Sequence, residues 1–164
     1  MTALVLAERA LSFVTEGEAE VYAGTESWGF ARYAGSEIHQ PTLVDNAGVQ
    51  LRVISGRRSG VATTNRTDDE GLAELARRAA DVVANASDDP ELVPPAPPVE
   101  LPDAEGYDEE TAALEADGQA RLAAAACAEA AGDLKLYGYF TSGACEAAAS
   151  RAWPSAPSAA VSSS

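Results

Sequence analysis

The chain has 164 residues, and its 26 acidic against 11 basic side chains give a net charge of -15. That length supports one domain with a hydrophobic core, and a field of that sign argues against nucleic acid and anionic membranes as partners. The longest apolar runs, Ala3 to Ala7 and Leu122 to Ala128, fall well short of the ~20 residues of a membrane-crossing helix, and Glu8 and Arg9 interrupt the apolar N-terminus before a leader could form, so a cytoplasmic location is expected.

The first element read from the chain is a helix over Leu4 to Val14, with Leu4, Ala7, Leu11 and Val14 at helical spacing and Thr2 available as its cap. From Glu18 the period changes to two: Ala19, Val21 and Ala23 share one face and Glu18, Glu20 and Tyr22 the other, which predicts a half-buried strand. Trp28 to His39 reads as a second strand, bent or bulged at Gly35-Ser36. Val49 to Thr64 reads as a β-hairpin, with the glycines of Ser55-Gly56-Arg57-Arg58-Ser59-Gly60 supplying the turn.

Thr67-Asp68-Asp69-Glu70 has the form of a capping box, in which the threonine hydroxyl serves an early helical N–H and Glu70 reaches back. The helix it opens runs to about Asn85, with Leu72, Leu75, Ala79, Val82 and Val83 as its apolar stripe. Six prolines between Asp88 and Gly106 make residues 88–106 an extended connector, since proline lacks the N–H that helix and sheet need. A third helix is predicted from Tyr107-Asp108-Glu109-Glu110-Thr111 to about Ala131, ended by Gly132, and a further strand from Asp133 to Phe140. The sum is an α+β fold: a mainly antiparallel sheet with a β-hairpin, packed by about three helices.

Few residues can carry chemistry. A zinc site needs several imidazole, thiolate or carboxylate ligands converging on the metal, and His39 is the sole histidine, read as a surface or hydrogen-bonded residue. Cys127 and Cys145 form no C-x-x-C pair and fit a reducing compartment as small apolar fillers. No G-x-S-x-G elbow occurs, and Gly56 to Gly60 lacks P-loop spacing, so neither a nucleophile nor a phosphate cradle is indicated. The expectation is no catalytic, cofactor-binding or metal residue in this chain. Arg52, Arg57, Arg58 and Arg66 are the only charges from Asn46 through Thr67. They admit two readings: a solvated hairpin, or a surface that holds an acidic partner.

The ordered set Glu18-Ala19-Glu20-Val21-Tyr22, Gly35-Ser36-Glu37-Ile38, Gly48-Val49-Gln50-Leu51-Arg52-Val53-Ile54 and Gly56 through Asn65 resembles the N-terminal region of the TldD/PmbA family. The likeness continues through the helix from Thr67, the acidic helix start at Tyr107 and Gly138-Tyr139-Phe140, and so covers roughly residues 3 to 148. The Asn65-Arg66-Thr67-Asp68-Asp69 junction and the proline-rich connector look more like the PmbA (TldE) branch.

The resemblance implies a cytoplasmic bacterial metallopeptidase, also labelled a modulator of DNA gyrase, that acts on peptides or unfolded proteins through paired TldD-type and PmbA-type subunits. The family's zinc-binding H-E-x-x-x-H helix would lie beyond this chain or in a partner subunit. For this region it implies a non-catalytic scaffold that helps wall a substrate chamber, inactive alone, with a TldD-type or second PmbA-type subunit as partner. The alternative is a free-standing acidic interaction domain using the Arg52, Arg57 and Arg58 hairpin. Residues 1–148 form the expected domain. After Ala148 the text turns to Arg151-Ala152-Trp153-Pro154 and then Ser, Ala, Pro and Val, so residues 149–164 are expected to be a disordered or out-of-frame tail of a truncated product.

Overall fold

The computed structural model describes residues 1–97, 99, 106–130, 132–153 and 156–161, with side chains described to residue 152. The elements are α1 (Ala3–Ser12), β1 (Glu18–Ala34), β2 (Glu37–Ser55), β3 (Arg58–Thr64), α2 (Asp69–Asn85), α3 (Glu109–Ala112), α4 (Ala116–Ala128), β4 (Gly138–Trp153) and β5 (Ala156–Val161). The strands form one sheet in the order β3-β2-β1-β4-β5. This is the α+β fold expected. The described residues group into two compact units, one within 1–25, 47–104 and 146–164 and the other within 26–46 and 105–145.

The first unit holds the large apolar side chains. Thr2 caps α1 as expected, its hydroxyl accepting from the Val5 N–H at 3.3 Å. Ala3, Leu6, Ala7, Ala10 and Leu11 form the buried stripe, while Val14 falls beyond the helix end at Phe13. On β1, Ala19, Val21 and Ala23 are buried, as their alternation requires. β2 and β3 are antiparallel with Leu51 opposite Ala62 and Val53 opposite Gly60, so all four lie on one face. The hairpin turn is only Gly56-Arg57, with Gly56 at φ 60.

Helix α2 lies across β3 and against α1. A Cβ at Gly60 would come within 2.6 Å of the Ala79 carbonyl and 2.8 Å of the Val83 nitrogen, so glycine lets the helix rest directly on the strand. Leu72, Leu75, Ala76, Ala79 and Val83 face inward, whereas Val82 is 46% exposed and leaves the stripe expected for it. Leu6, Leu51, Leu72 and Leu75 are wholly buried, each stabilising the fold by roughly 1.5–3 kcal/mol.

The cap of α2 differs from the capping box. Asp68, not Thr67, is the N-cap, accepting from the Gly71 N–H at 2.9 Å, and Glu70 turns to Arg66. A carboxylate is the stronger acceptor at a helix N-terminus, because its charge meets the positive end of the dipole. Of the connector, residues 98 and 100–105 lie outside the described residues. Its start is tied back to the hairpin by the Asp89 N–H, which donates to the Arg57 carbonyl at 2.8 Å.

The second unit contains a correction at Gly35-Ser36. These residues are not a bend within one strand: they reverse the chain between β1 and β2, with Gly35 at φ 60 and Ser36 at φ 67. Positive φ at both central positions defines a two-residue turn that suits strand twist. The Ser36 N–H donates to the Leu136 carbonyl and its hydroxyl accepts from the Leu136 N–H, both at 3.0 Å.

The third predicted helix is also divided, into α3 and α4, because the chain extends at Glu115. Leu114 folds over Gly118, where an added Cβ would lie 2.6 Å from Leu114 Cδ1. Gln119, only 2% exposed, donates its side-chain amide to the Leu114 carbonyl at 3.1 Å and the Ser142 hydroxyl at 2.8 Å. Tertiary bonding thus overrides alanine's preference for a continuous helix.

β4 starts at Gly138, so Asp133 to Tyr137 are not strand, and it runs to Trp153 rather than ending near Phe140. Ala156–Val161 pairs antiparallel with it as β5, Ala149 opposite Val161 and Arg151 opposite Ala159. Residues 149–153 and 156–161 of the expected disordered tail are therefore in strands, and 154, 155 and 162–164 lie outside the described residues. Ladder pairing is made by the main chain, so Ala/Ser text does not forbid it, and Pro157 is tolerated on an edge strand.

Candidate functional site

The arginines of the hairpin sit in the first unit, and the chain's own acids meet most of them. Arg52, on β2, pairs with Glu20 of β1 at 3.0 Å, both side chains about one-third exposed. At the turn, Arg58 pairs with Asp88 at 2.7 Å, and Arg57 donates to the Asp89 carbonyl at 3.5 Å. Arg66 lies at the mouth of α2 between Asp68 at 3.0 Å and Glu70 at 2.9 Å. Its hydrogen bond holds the Asp68 carboxyl below the usual aspartate range, helped by the Gly71 N–H. The structure thus does not gather Arg52, Arg57, Arg58 and Arg66 into one site: the turn pair serves the connector, and Arg66 serves the helix.

The second unit carries a different arrangement. Gly29 and Ala31 of β1 are buried, and a Cβ at Gly29 would collide with the Gln119 amide, so α4 covers that side of the strand. The alternating residues Phe30 and Arg32 belong to the other side. There Arg32 and Tyr33 of β1, His39 and Gln40 of β2, and Tyr137 and Tyr139 line a hollow of about 370 Å³. Phe30, Arg32, Gln40, Thr42 and Tyr139 line another of about 360 Å³. The Phe30 and Tyr139 rings are 6.5 Å apart at their centroids and tilted by 55°, within the range of favourable edge-tilted aromatic pairs.

His39 is exposed, with Nε2 3.2 Å from the Ala34 carbonyl, in keeping with a surface or hydrogen-bonded role. Cys127 is buried as the apolar-filler reading requires, but Cys145 is exposed and fills nothing. Among the described residues no three His, Cys, Asp or Glu side chains come together as a metal would require. The zinc that the family resemblance implies therefore finds no fitting donor set among them.

Residues 19–83 match the family model described as PmbA/TldA metallopeptidase domain 1. Over this region the chain is similar to the TldD/PmbA family. A search of curated proteins returns no significant match. Among solved structures the chain is similar to a modulator of DNA gyrase from Bacteroides thetaiotaomicron, at 21% identity and TM-score 0.66, covering 96% of this chain and 37% of that one. It is similar to TldE from Thermococcus kodakarensis at 16% identity and TM-score 0.64, covering 94% of this chain and 40% of that one. A modulator of a DNA gyrase from Thermotoga maritima aligns at 14% identity and TM-score 0.53, covering 90% and 33%. At these identities the solved structures establish the fold, and the chain spans two-fifths or less of their lengths.

In the sequence the hairpin arginines stand out as a charge cluster, whereas Arg32, Phe30 and Tyr139 come together in the fold. A signal was present. Trp28, Phe30 and Arg32 alternate with the small residues Gly29 and Ala31, which is a strand with a thin inner face and a bulky outer one. Gly35-Ser36 between two alternating runs marked the reversal that brings Gln40 beside Arg32.

Proposed function

We propose that this chain is the N-terminal, non-catalytic domain of a TldD/PmbA-type metallopeptidase subunit. In that role it serves as scaffold and wall for a chamber in which peptides or unfolded proteins are cut. The observation that carries the reading is the match of residues 19–83 to a first domain described as part of a metallopeptidase. The fold supports it, since nearly the whole chain aligns with 40% of TldE. The Asn65 to Asp69 junction and the connector favour the PmbA branch, with a TldD-type or second PmbA-type subunit as partner. Catalytic zinc belongs, on this reading, to another part of the assembly. The alternative, an arginine hairpin for an acidic partner, is weakened because Arg52, Arg58 and Arg66 are already ion-paired.

The test is to purify the chain alone, dialyse it, and measure both bound zinc and hydrolysis of unfolded casein and short peptides. Neither stoichiometric zinc nor peptidase activity is expected. Zinc retained through dialysis, with hydrolysis abolished by chelator, would overturn the proposal.

A further inference from the structure

Most cations of this acid-rich chain are already engaged. Arg9 pairs with Asp69, Arg52 with Glu20, Arg58 with Asp88, Arg66 with Asp68 and Glu70, and Arg77 with Glu74 and Asp81. Arg57, Arg78 and Arg151 donate to the backbone carbonyls of Asp89, Thr63 and Ala96. Among the described residues Arg32, Arg121 and Lys135 remain without such a partner, and Arg32 lies in the hollows described above. It lines both hollows, as do Gln40 and Tyr139. Acids outnumber bases 26 to 11 in the sequence, yet among the described residues no Asp or Glu lines either hollow.

An exposed guanidinium alone is unremarkable, because water solvates it well. What selects Arg32 is the combination of an acid-free lining with aromatic walls. The groove is open to water, with Tyr139 63% exposed, so the fit rests on geometry: the planar fork of arginine matches a carboxylate through two parallel N–H bonds. Phe30 and Tyr139 offer ring surface beside it for an apolar side chain. Gln40 and Thr42 supply neutral donors and acceptors of the kind that meet a peptide backbone. A phosphate dianion is served by several cations or a helix N-terminus, and here Arg32 is the one guanidinium, with the His39 imidazole as the other basic group of the lining, which suits a monoanion.

We propose that this groove binds the C-terminal end of a peptide, with the free α-carboxylate on Arg32 and an apolar or aromatic last side chain against Phe30 and Tyr139. The choice of a peptide rests on the proteolytic reading above, and the carboxylate rests on the groove itself.

The experiment titrates the purified full chain with acetyl-Ala-Ala-Phe as the free acid and as the C-terminal amide, followed by amide-resonance shifts in two-dimensional NMR, with inorganic phosphate as competitor. The free acid is expected to bind roughly tenfold tighter than the amide, the order expected for a charge-assisted hydrogen bond. Shifts should concentrate in residues 30–42 and 137–139, and equimolar phosphate should not displace the peptide. R32Q should bring the acid down to the affinity of the amide, and Y139A should weaken both. Equal binding of acid and amide by the wild type, or binding of neither, would overturn the proposal without needing any variant to fold. Displacement by equimolar phosphate would overturn it too, by showing a general anion site. The outcome is separable from the domain assignment, which stands or falls on zinc and hydrolysis by the isolated chain.

Discussion

The two units treat charge and burial in opposite ways. In the first, leucines and valines build a deep core under α1 and α2, and the surface arginines are matched by the chain's own carboxylates. In the second, the inner face of β1 is glycine and alanine beneath a buried glutamine, and Arg32 stands beside aromatic rings, unmatched among the described residues. A run of like charge in a sequence is therefore weak grounds for a site. An isolated cation that the fold leaves unpaired, in a groove without acids, is better grounds.

Several changes would sharpen or break this contrast. The largest effect is expected from L51A or L72A, which should each cost about 2–5 kcal/mol in urea unfolding, because the cavity adds to the lost burial. Q119A, the corresponding truncation in the second unit, should cost about 1–3 kcal/mol by removing the bonds to Leu114 and Ser142. If Q119A proves as costly as L72A, the second unit has a deeper core than its small residues suggest.

A smaller effect belongs to the helix caps, where Asp68 is held low by Arg66 and then Gly71, and Asp108 by the Thr111 hydroxyl and N–H. Because the folded values lie below the unfolded ones, this stability is full above the ordinary aspartate pKa of about 4 and is lost as pH falls through the folded values. Tm should hold from pH 7 to about 5 and then fall, and D68A should lower Tm at pH 7 while flattening the acid slope. The smallest effect is expected for R58A, within about 0.5 kcal/mol, since an exposed ion pair is screened by water. A loss several times larger would show that the hairpin tie to the connector matters to the fold.

Parts of this were legible because they are local. Thr2 before an apolar periodic run marked α1, the alternation of Ala19, Val21 and Ala23 marked the inner face of β1, and Val49 through Thr64 marked the hairpin. The Gly35-Ser36 turn was also written in the sequence, but a glycine inside a run of strand-forming residues reads equally as a bulge until the partner strand is known. The cap at Asp68 and the division at Leu114 were not legible in the same way. Thr67 and Asp68 are adjacent candidates, and only the position of Arg66 and Gly71 selects between them. The division depends on Gln119 reaching Ser142, which is 23 residues away.

By itself the sequence determined α1, the inner face of β1 at Ala19, Val21 and Ala23, the hairpin from Val49 to Thr64, the extent of α2, the family likeness and the scarcity of metal ligands. These follow from periodicity and residue chemistry, which need no knowledge of distant neighbours. The tertiary structure alone decided which arginines are neutralised, how far β4 extends, that Ala156–Val161 pairs as β5, and that Arg32 shares a groove with Phe30 and Tyr139. Those depend on contacts between segments far apart in the chain, and a charge, a strand end or a groove takes its meaning from what the fold sets opposite it.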